Sequence, residues 1–316
     1  MSSAFGKTHG SIQSRVLRVA LAPLVAISAL TACAVKAPSL APSGATPQTM
    51  AVPTTDPAVV GEIRKEGGFL FGYLLDGLPA LLVRTNVPNS LALVPPPPES
   101  GSVEQAADEA GRQAMLALRG TPRFALAKED ANLSFPASTA VFSCAMGVPI
   151  TAEQTPHLAM LMRRTMTDAG AATYAAKLHY KRTRPFEAAK ETSCTPKEEG
   201  TLARDGSYPS GHSAIGWAWG LVLSQVAPER SQALLERGLS YGRSRAVCGV
   251  HWMSDIAAGQ TVGAATVAKL QNNADFLAQV AAAKAEVAAL RASGLGPTRN
   301  CRAEAAALAF DKPASQ

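Results

Sequence analysis

From Ser102 onward, apolar positions recur at intervals of three and four, the spacing that gathers them on one face of an α-helix. The pattern predicts helices over 104–118, 125–131 and 138–146. A further helix runs to Asp168, with Thr155 as its N-cap and Pro156 at its first position. Another covers 171–181 and stops ahead of Pro185. The segment 210–226 opens beside Pro209 and is apolar almost all round, the mark of a buried helix. Helices over 229–243, with Gly242 near its end, over 255–270 and over 273–292 complete the set, the last halted by Gly294 and Pro297. Strand-type alternation and fixed-period repeats are both missing from the pattern, which therefore predicts a single all-α domain.

Upstream the pattern changes. Residues 34–66 are rich in proline, alanine, serine and threonine, a composition that cannot bury enough surface to fold and reads as a disordered tether. The helical domain is expected to occupy 67–295, followed by a C-terminal extension over 296–316. Pro95-Pro96-Pro97-Pro98 must be an extended, rigid connector, because each ring fixes φ and removes an amide donor. The first 33 residues read as an export signal, in which Lys7, Arg15 and Arg18 precede an apolar run from Val19 to Leu30. That run is too short for a mature membrane span. It closes on Leu30-Thr31-Ala32-Cys33, which resembles a bacterial lipobox, where the cysteine is lipidated and becomes the mature N-terminus. Ala32-Cys33-Ala34 also fits an ordinary small-residue cleavage site. The expected location is the periplasm, with a lipid anchor at Cys33.

Composition sharpens this picture at three points. With 47% apolar and 17% charged residues in 316, the chain is globular and long enough to bury a core. Its net charge of +6 falls to +3 once the three leader cations are discounted, too mild for a nucleic-acid partner. Beyond Cys33 there remain Cys144, Cys194, Cys248 and Cys301, an even set that can form two disulfides in three connectivities. No C-x-x-C pair or nearby histidine cluster points to a metal site, and no cofactor is called for. A disulfide at Cys248 would stiffen the segment leading to His251. Nothing in the pattern specifies an oligomer.

Three blocks carry the chemistry. Lys177 is followed by Arg184-Pro185; Gly206-Ser207-Tyr208-Pro209-Ser210-Gly211-His212 comes next; Ser244-Arg245 then leads to His251 and Asp255. Phosphoryl transfer needs donors for three equatorial oxygens, an in-line nucleophile and a proton for the leaving oxygen. Lys177, Arg184 and Arg245 supply fixed positive charge, the arginines as planar forks matched to phosphate. Ser210 and Gly211 read as a turn into a helix N-terminus, where free amides and the dipole favour an anion. His251 and Asp255, at i and i+4, share a face if a helix has begun by then. A carboxylate on Nδ1–H fixes the tautomer and frees Nε2, which makes His251 the candidate nucleophile and His212 the candidate general acid. Taken alone, each piece has an ordinary structural reading, as a cap, a surface pair or a solvated charge. Their ordered conjunction does not. His157 and His179 lack sequence partners and read as structural, and Trp217 and Trp219 as core.

K-x6-RP, PSGH and SR-x5-H-x3-D resemble the signature of the phosphatidic acid phosphatase type 2 and vanadium haloperoxidase superfamily, over about residues 86–292. Gly206 to Ser213, Leu93 to Pro98, Gly120 to Arg123, Arg184-Pro185-Phe186 and Cys248-Gly249 with His251-Trp252 look like one branch, the bacterial class A non-specific acid phosphatases. Threonine is usual there in place of Ser213. The resemblance implies a compact helical bundle and metal-independent hydrolysis of small-molecule phosphomonoesters in the periplasm. It implies phosphate binding by Lys177, Arg184, Ser210, Gly211 and Arg245, with His212 as acid, His251 as nucleophile and Asp255 as its partner. Lipid phosphatase or diphosphatase and vanadate-dependent haloperoxidase are rival uses of the same residues. The lipobox-like leader and the extension around Cys301 depart from the branch. An acidic optimum, roughly pH 5 to 6.5, follows from the ester's second ionisation and the histidine pKa.

Overall fold

A computed structural model describes residues 72–75 and 86–311, so the leader, the tether, Cys33 and the expected domain start at 67 lie outside the described residues. Ten helices of five or more residues carry the architecture of the described part, and it contains no strand. They are α1 (Val103–Leu116), α2 (Pro122–Asp130), α3 (Pro156–Ala172), α4 (Tyr174–Tyr180), α5 (Pro185–Ala189), α6 (Gly211–Val226), α7 (Ser231–Val247), α8 (Met253–Leu270), α9 (Ala274–Ala292) and α10 (Cys301–Leu308). The all-α class expected from the spacing holds.

Helix α6 is the axis of the bundle, packed by α3, α7 and α8. Its all-round apolarity explains that position, because every face must find a neighbour. Trp219 is fully buried, donates its indole N–H to the Met162 carbonyl at 2.8 Å, and meets Phe142 and Tyr241 edge-on. Trp217 is only half-buried. Two glycines of α8 let that helix approach α6 backbone to backbone. A Cβ at Gly259 would fall 2.4 Å from the Ser210 carbonyl oxygen, and one at Gly263 would fall 2.4 Å from that of Ala214. Gly259→Ala is therefore expected to destabilise the fold by about 1–3 kcal/mol in a denaturant titration, because a backbone oxygen cannot step aside as a side-chain tip can. A variant as stable as the parent would mean that α6 and α8 are further apart than described here.

Boundaries differ from the sequence pattern where tertiary contacts intervene. The second helix starts three residues early, at Pro122, with the Thr121 side chain accepting from Phe124 N. The expected helix over 138–146 is two single turns, Ala137–Ala140 and Ser143–Met146, interrupted where Val141 and Phe142 are drawn into the core. Helix α3 begins at Pro156, but Thr155 is not its side-chain cap. The Thr155 hydroxyl instead accepts from Thr151 N, and the carboxylate of Glu286, on α9, accepts from His157 N and Leu158 N at 2.9 Å each. Burial pushes the Glu286 carboxyl up to about 7 despite those two donors. Helix α3 also continues past Asp168 to Ala172, and α7 runs one turn beyond Arg243, carrying Arg245 on the helix. The Asp168 carboxylate accepts from Tyr73 N and Leu74 N at 2.7 and 3.0 Å, fastening 72–75 to the bundle.

The cysteines pair as Cys144–Cys301 and Cys194–Cys248. The first staples the C-terminal extension, whose helix α10 packs on α2. Asp311, beyond α10, accepts from Arg123 Nε at 2.9 Å and from the Ser240 hydroxyl at 2.7 Å. His157 lies against Gln279, and His179 is exposed beside the Tyr180 ring.

Candidate active site

Short backbone bonds stitch the three sequence blocks together. Ser207 N donates to the Arg182 carbonyl at 2.8 Å, Ser210 N to that of Asp255 at 2.9 Å, and Phe186 N to that of Gly249 at 3.0 Å. Gly249 follows the C-cap of α7 with φ +73°, a left-handed turn that ends the helix and sends the chain toward His251. The Cys194–Cys248 disulfide pins the same turn. Lys177, Arg184, Gly211, His212, Arg245 and His251 consequently line one cavity of about 730 Å³. Ser210 caps α6 behind Gly211, and Asp255 lies behind His251, both fully buried. The eight candidate site residues thus lie on or directly behind the wall of one cavity.

Arg245 is 1% exposed, and its Nε and Nη1 have no hydrogen-bond partner among the described residues. A buried, unsatisfied guanidinium is costly to a fold, so its persistence at a cavity wall marks a place for an anion. Burial, and then the neighbouring Arg184, pull it down to about 10, which still leaves it charged at neutral and acid pH. Arg184 donates from Nε to the Leu202 and Asp205 carbonyls and from Nη1 to that of Val250. Lys177 Nζ donates to the Gly206 carbonyl at 2.5 Å, and burial with Arg184 lowers its pKa to about 8. The Ser210 hydroxyl accepts from Ser213 N at 3.3 Å and from the Ser213 hydroxyl at 2.9 Å.

The His251–Asp255 pair arises differently from the expected shared helix face. Helix α8 starts only at Met253, with Trp252 as an extended N-cap, so His251 precedes it. Asp255 sits in the first turn and reaches back, accepting from Trp252 N at 2.8 Å while lying 3.3 Å from His251 Nδ1. On the other side of the ring, Arg184 Nη1 is 3.1 Å from Nε2. A guanidinium can only donate, so Nε2 carries the lone pair and Nδ1 the proton. Burial, followed by the charges of Arg184, Lys177 and Arg245, holds His251 well below the usual histidine range, which favours the uncharged ring.

Three supporting residues had been given no role from the sequence, although Ser207 stands inside the second block. The Ser207 hydroxyl donates to Asp255 Oδ2 at 2.5 Å. Arg182 Nη1 donates to Asp255 Oδ1 at 2.7 Å, and its Nη2 to Asp108, on α1, at 2.8 Å. Asp205 approaches both Lys177 and Arg184. Each depends on a partner far away along the chain.

The matching family model, the PAP2 superfamily, covers residues 158–273, which contain all eight residues named from the sequence. A non-specific acid phosphatase of Providencia stuartii is 43% identical over 204 residues, 64% of this chain and 82% of that protein. One of Salmonella typhimurium is 40% identical over 200 residues, 63% of this chain and 80% of its own. The chain belongs to the PAP2 superfamily, in its class A acid phosphatase branch. An acid phosphatase of Zymomonas mobilis is 37% identical over 207 residues, 66% of this chain and 78% of that protein.

His212 completes this PAP2 site. Its Nε2 lies 3.0 Å from the Ala131 carbonyl, which accepts a proton held there and leaves the lone pair of the neutral ring on Nδ1. Burial first, and then Arg245, hold its pKa well below the usual value. An anion beside the arginines would offset their charge and raise it.

Proposed function

We propose that this protein is an acid phosphatase that hydrolyses a broad range of small phosphomonoesters through a phosphohistidine on His251. The observation that carries the reading is the unpartnered Arg245 fork, buried on the wall of the cavity that Lys177, Arg184 and His251 also line. Arg245, Arg184, Lys177, the Ser210 hydroxyl and the first amides of α6 meet the phosphoryl oxygens. Their charge takes the place that a metal holds in other phosphatases.

In the first step the Nε2 lone pair of His251 attacks phosphorus, a P–N bond forms, and the P–O ester bond breaks. Protonated His212 gives its Nδ1 proton to the departing oxygen, so the alcohol leaves neutral. In the second step His212, now neutral, takes a proton from water as its oxygen attacks phosphorus. The P–N bond breaks and phosphate remains. Asp255, held by Ser207, Trp252 N and Arg182, stabilises the charge that develops on the His251 ring. We also propose that the enzyme acts in the periplasm, anchored by lipid at Cys33. Its two disulfides support export, since such bonds persist in oxidising compartments.

Assays of nitrophenyl phosphate, nucleotides, sugar phosphates and phosphatidate with excess chelator test the activity, which should survive on the soluble monoesters. Total loss with chelator would overturn the metal-free reading. The depressed His212 pKa adds a second expectation. The basic limb of kcat/KM, which reports the free enzyme, should fall at lower pH than that of kcat, which reports the anion-filled site. Coincident limbs would contradict the coupling between substrate charge and His212 protonation.

A further inference from the structure

Asp205 is the acidic side chain that touches the phosphate cage, with Oδ2 3.4 Å from Lys177 Nζ and 3.3 Å from Arg184 Nη2. Resting on the phosphatase reading above, we propose that Asp205 is a built-in counter-anion, which competes with phosphate for Lys177 and Arg184 and so hastens release of the product.

Positioning of the cage does not need this carboxylate. Lys177 is held by the Gly206 carbonyl, and Arg184 by the carbonyls of Leu202, Asp205 and Val250. What the side chain adds is charge. It sits against two of the three cations that an incoming phosphate must engage, while Nε and Nη1 of the third, Arg245, have no hydrogen-bond partner among the described residues. Its side chain is 34% exposed, against 4% for Lys177, so it can turn to water when phosphate takes its partners while the cations stay in place. A negative charge left within a few ångströms of a bound phosphate repels it. A phosphatase gains from that repulsion, because interactions that hold the product as tightly as the transition state slow turnover.

The test is Asp205→Asn, which keeps the shape and removes the charge. Binding of inorganic phosphate is followed by calorimetry at pH 6, well below the value of about 8 near which Lys177 gives up its proton. The variant should bind phosphate about tenfold more tightly than the parent, and product inhibition of nitrophenyl phosphate hydrolysis should strengthen in parallel, while the melting temperature without phosphate falls because Lys177 and Arg184 lose a counter-charge. Equal or weaker phosphate binding by a folded variant would overturn the proposal and make Asp205 a positioning residue. If instead the parent bound no phosphate and hydrolysed no ester, the phosphatase reading itself would fall. Should Asp205→Asn fold poorly, Asp205→Ser carries the same comparison.

Discussion

His251→Ala is expected to lower kcat by about 10⁴-fold or more while phosphate binding changes only a few-fold. The split follows from the geometry. On the proposed reading phosphate oxygens are held by Arg245, Arg184, Lys177 and the start of α6, none of which depends on the imidazole for support. Arg184 keeps three backbone carbonyl partners when its contact with Nε2 is removed. Only the atom that bonds phosphorus is lost. Orthovanadate inhibition should weaken far more than phosphate inhibition, because vanadate accepts a ring nitrogen as a ligand and inorganic phosphate does not. Steady-state kinetics with both inhibitors check this. Parallel loss of phosphate affinity would mean that His251 binds rather than attacks.

Arg245→Met is expected to move activity and stability in opposite directions. Removal of one donor to the transition-state oxygens should reduce kcat/KM by about 10²–10³-fold, on the order of 3 kcal/mol. The same change removes a buried cation whose Nε and Nη1 have no hydrogen-bond partner among the described residues and fills its volume with an apolar chain. Replacement of uncompensated buried charge in this way tends to stabilise a fold, here by about 1 kcal/mol or more. Melting curves without phosphate should therefore place the variant above the parent. With saturating phosphate the order should reverse, since only the parent gains strongly from the ligand. A variant that is less stable in both conditions would show that Arg245 is a structural residue.

The fold class and most of the site were legible because both rest on local features. Apolar spacing marks the helices, and α6 announced its central place by having no polar face. The cage cations and the two histidines stand in blocks whose residue types answer the demands of phosphoryl transfer one by one. Less legible was how those blocks are held. The Asp255 contact with His251 was expected from a shared helix face, yet it comes from a first-turn carboxylate reaching back across an N-cap. Thr155 stands where an N-cap belongs, but the Glu286 carboxylate from 129 residues away supplies it. Asp205, Arg182 and Ser207 acquire their meaning only from partners that tertiary packing delivers, as do the two disulfide pairings. Residues that make chemistry are recognisable by type and order. Those that position or counterbalance them are ordinary residues until their neighbours are known.

The central claim is that His251 carries the phosphoryl group between two half-reactions. Rapid quenching of turnover with labelled nitrophenyl phosphate, followed by peptide mapping under alkaline conditions that spare phosphoramidates, tests it most directly. Label is expected on the peptide containing His251, lost in mild acid and not formed by His251→Ala. Label on Ser210, or full turnover with none on His251 at any quench time, would contradict it.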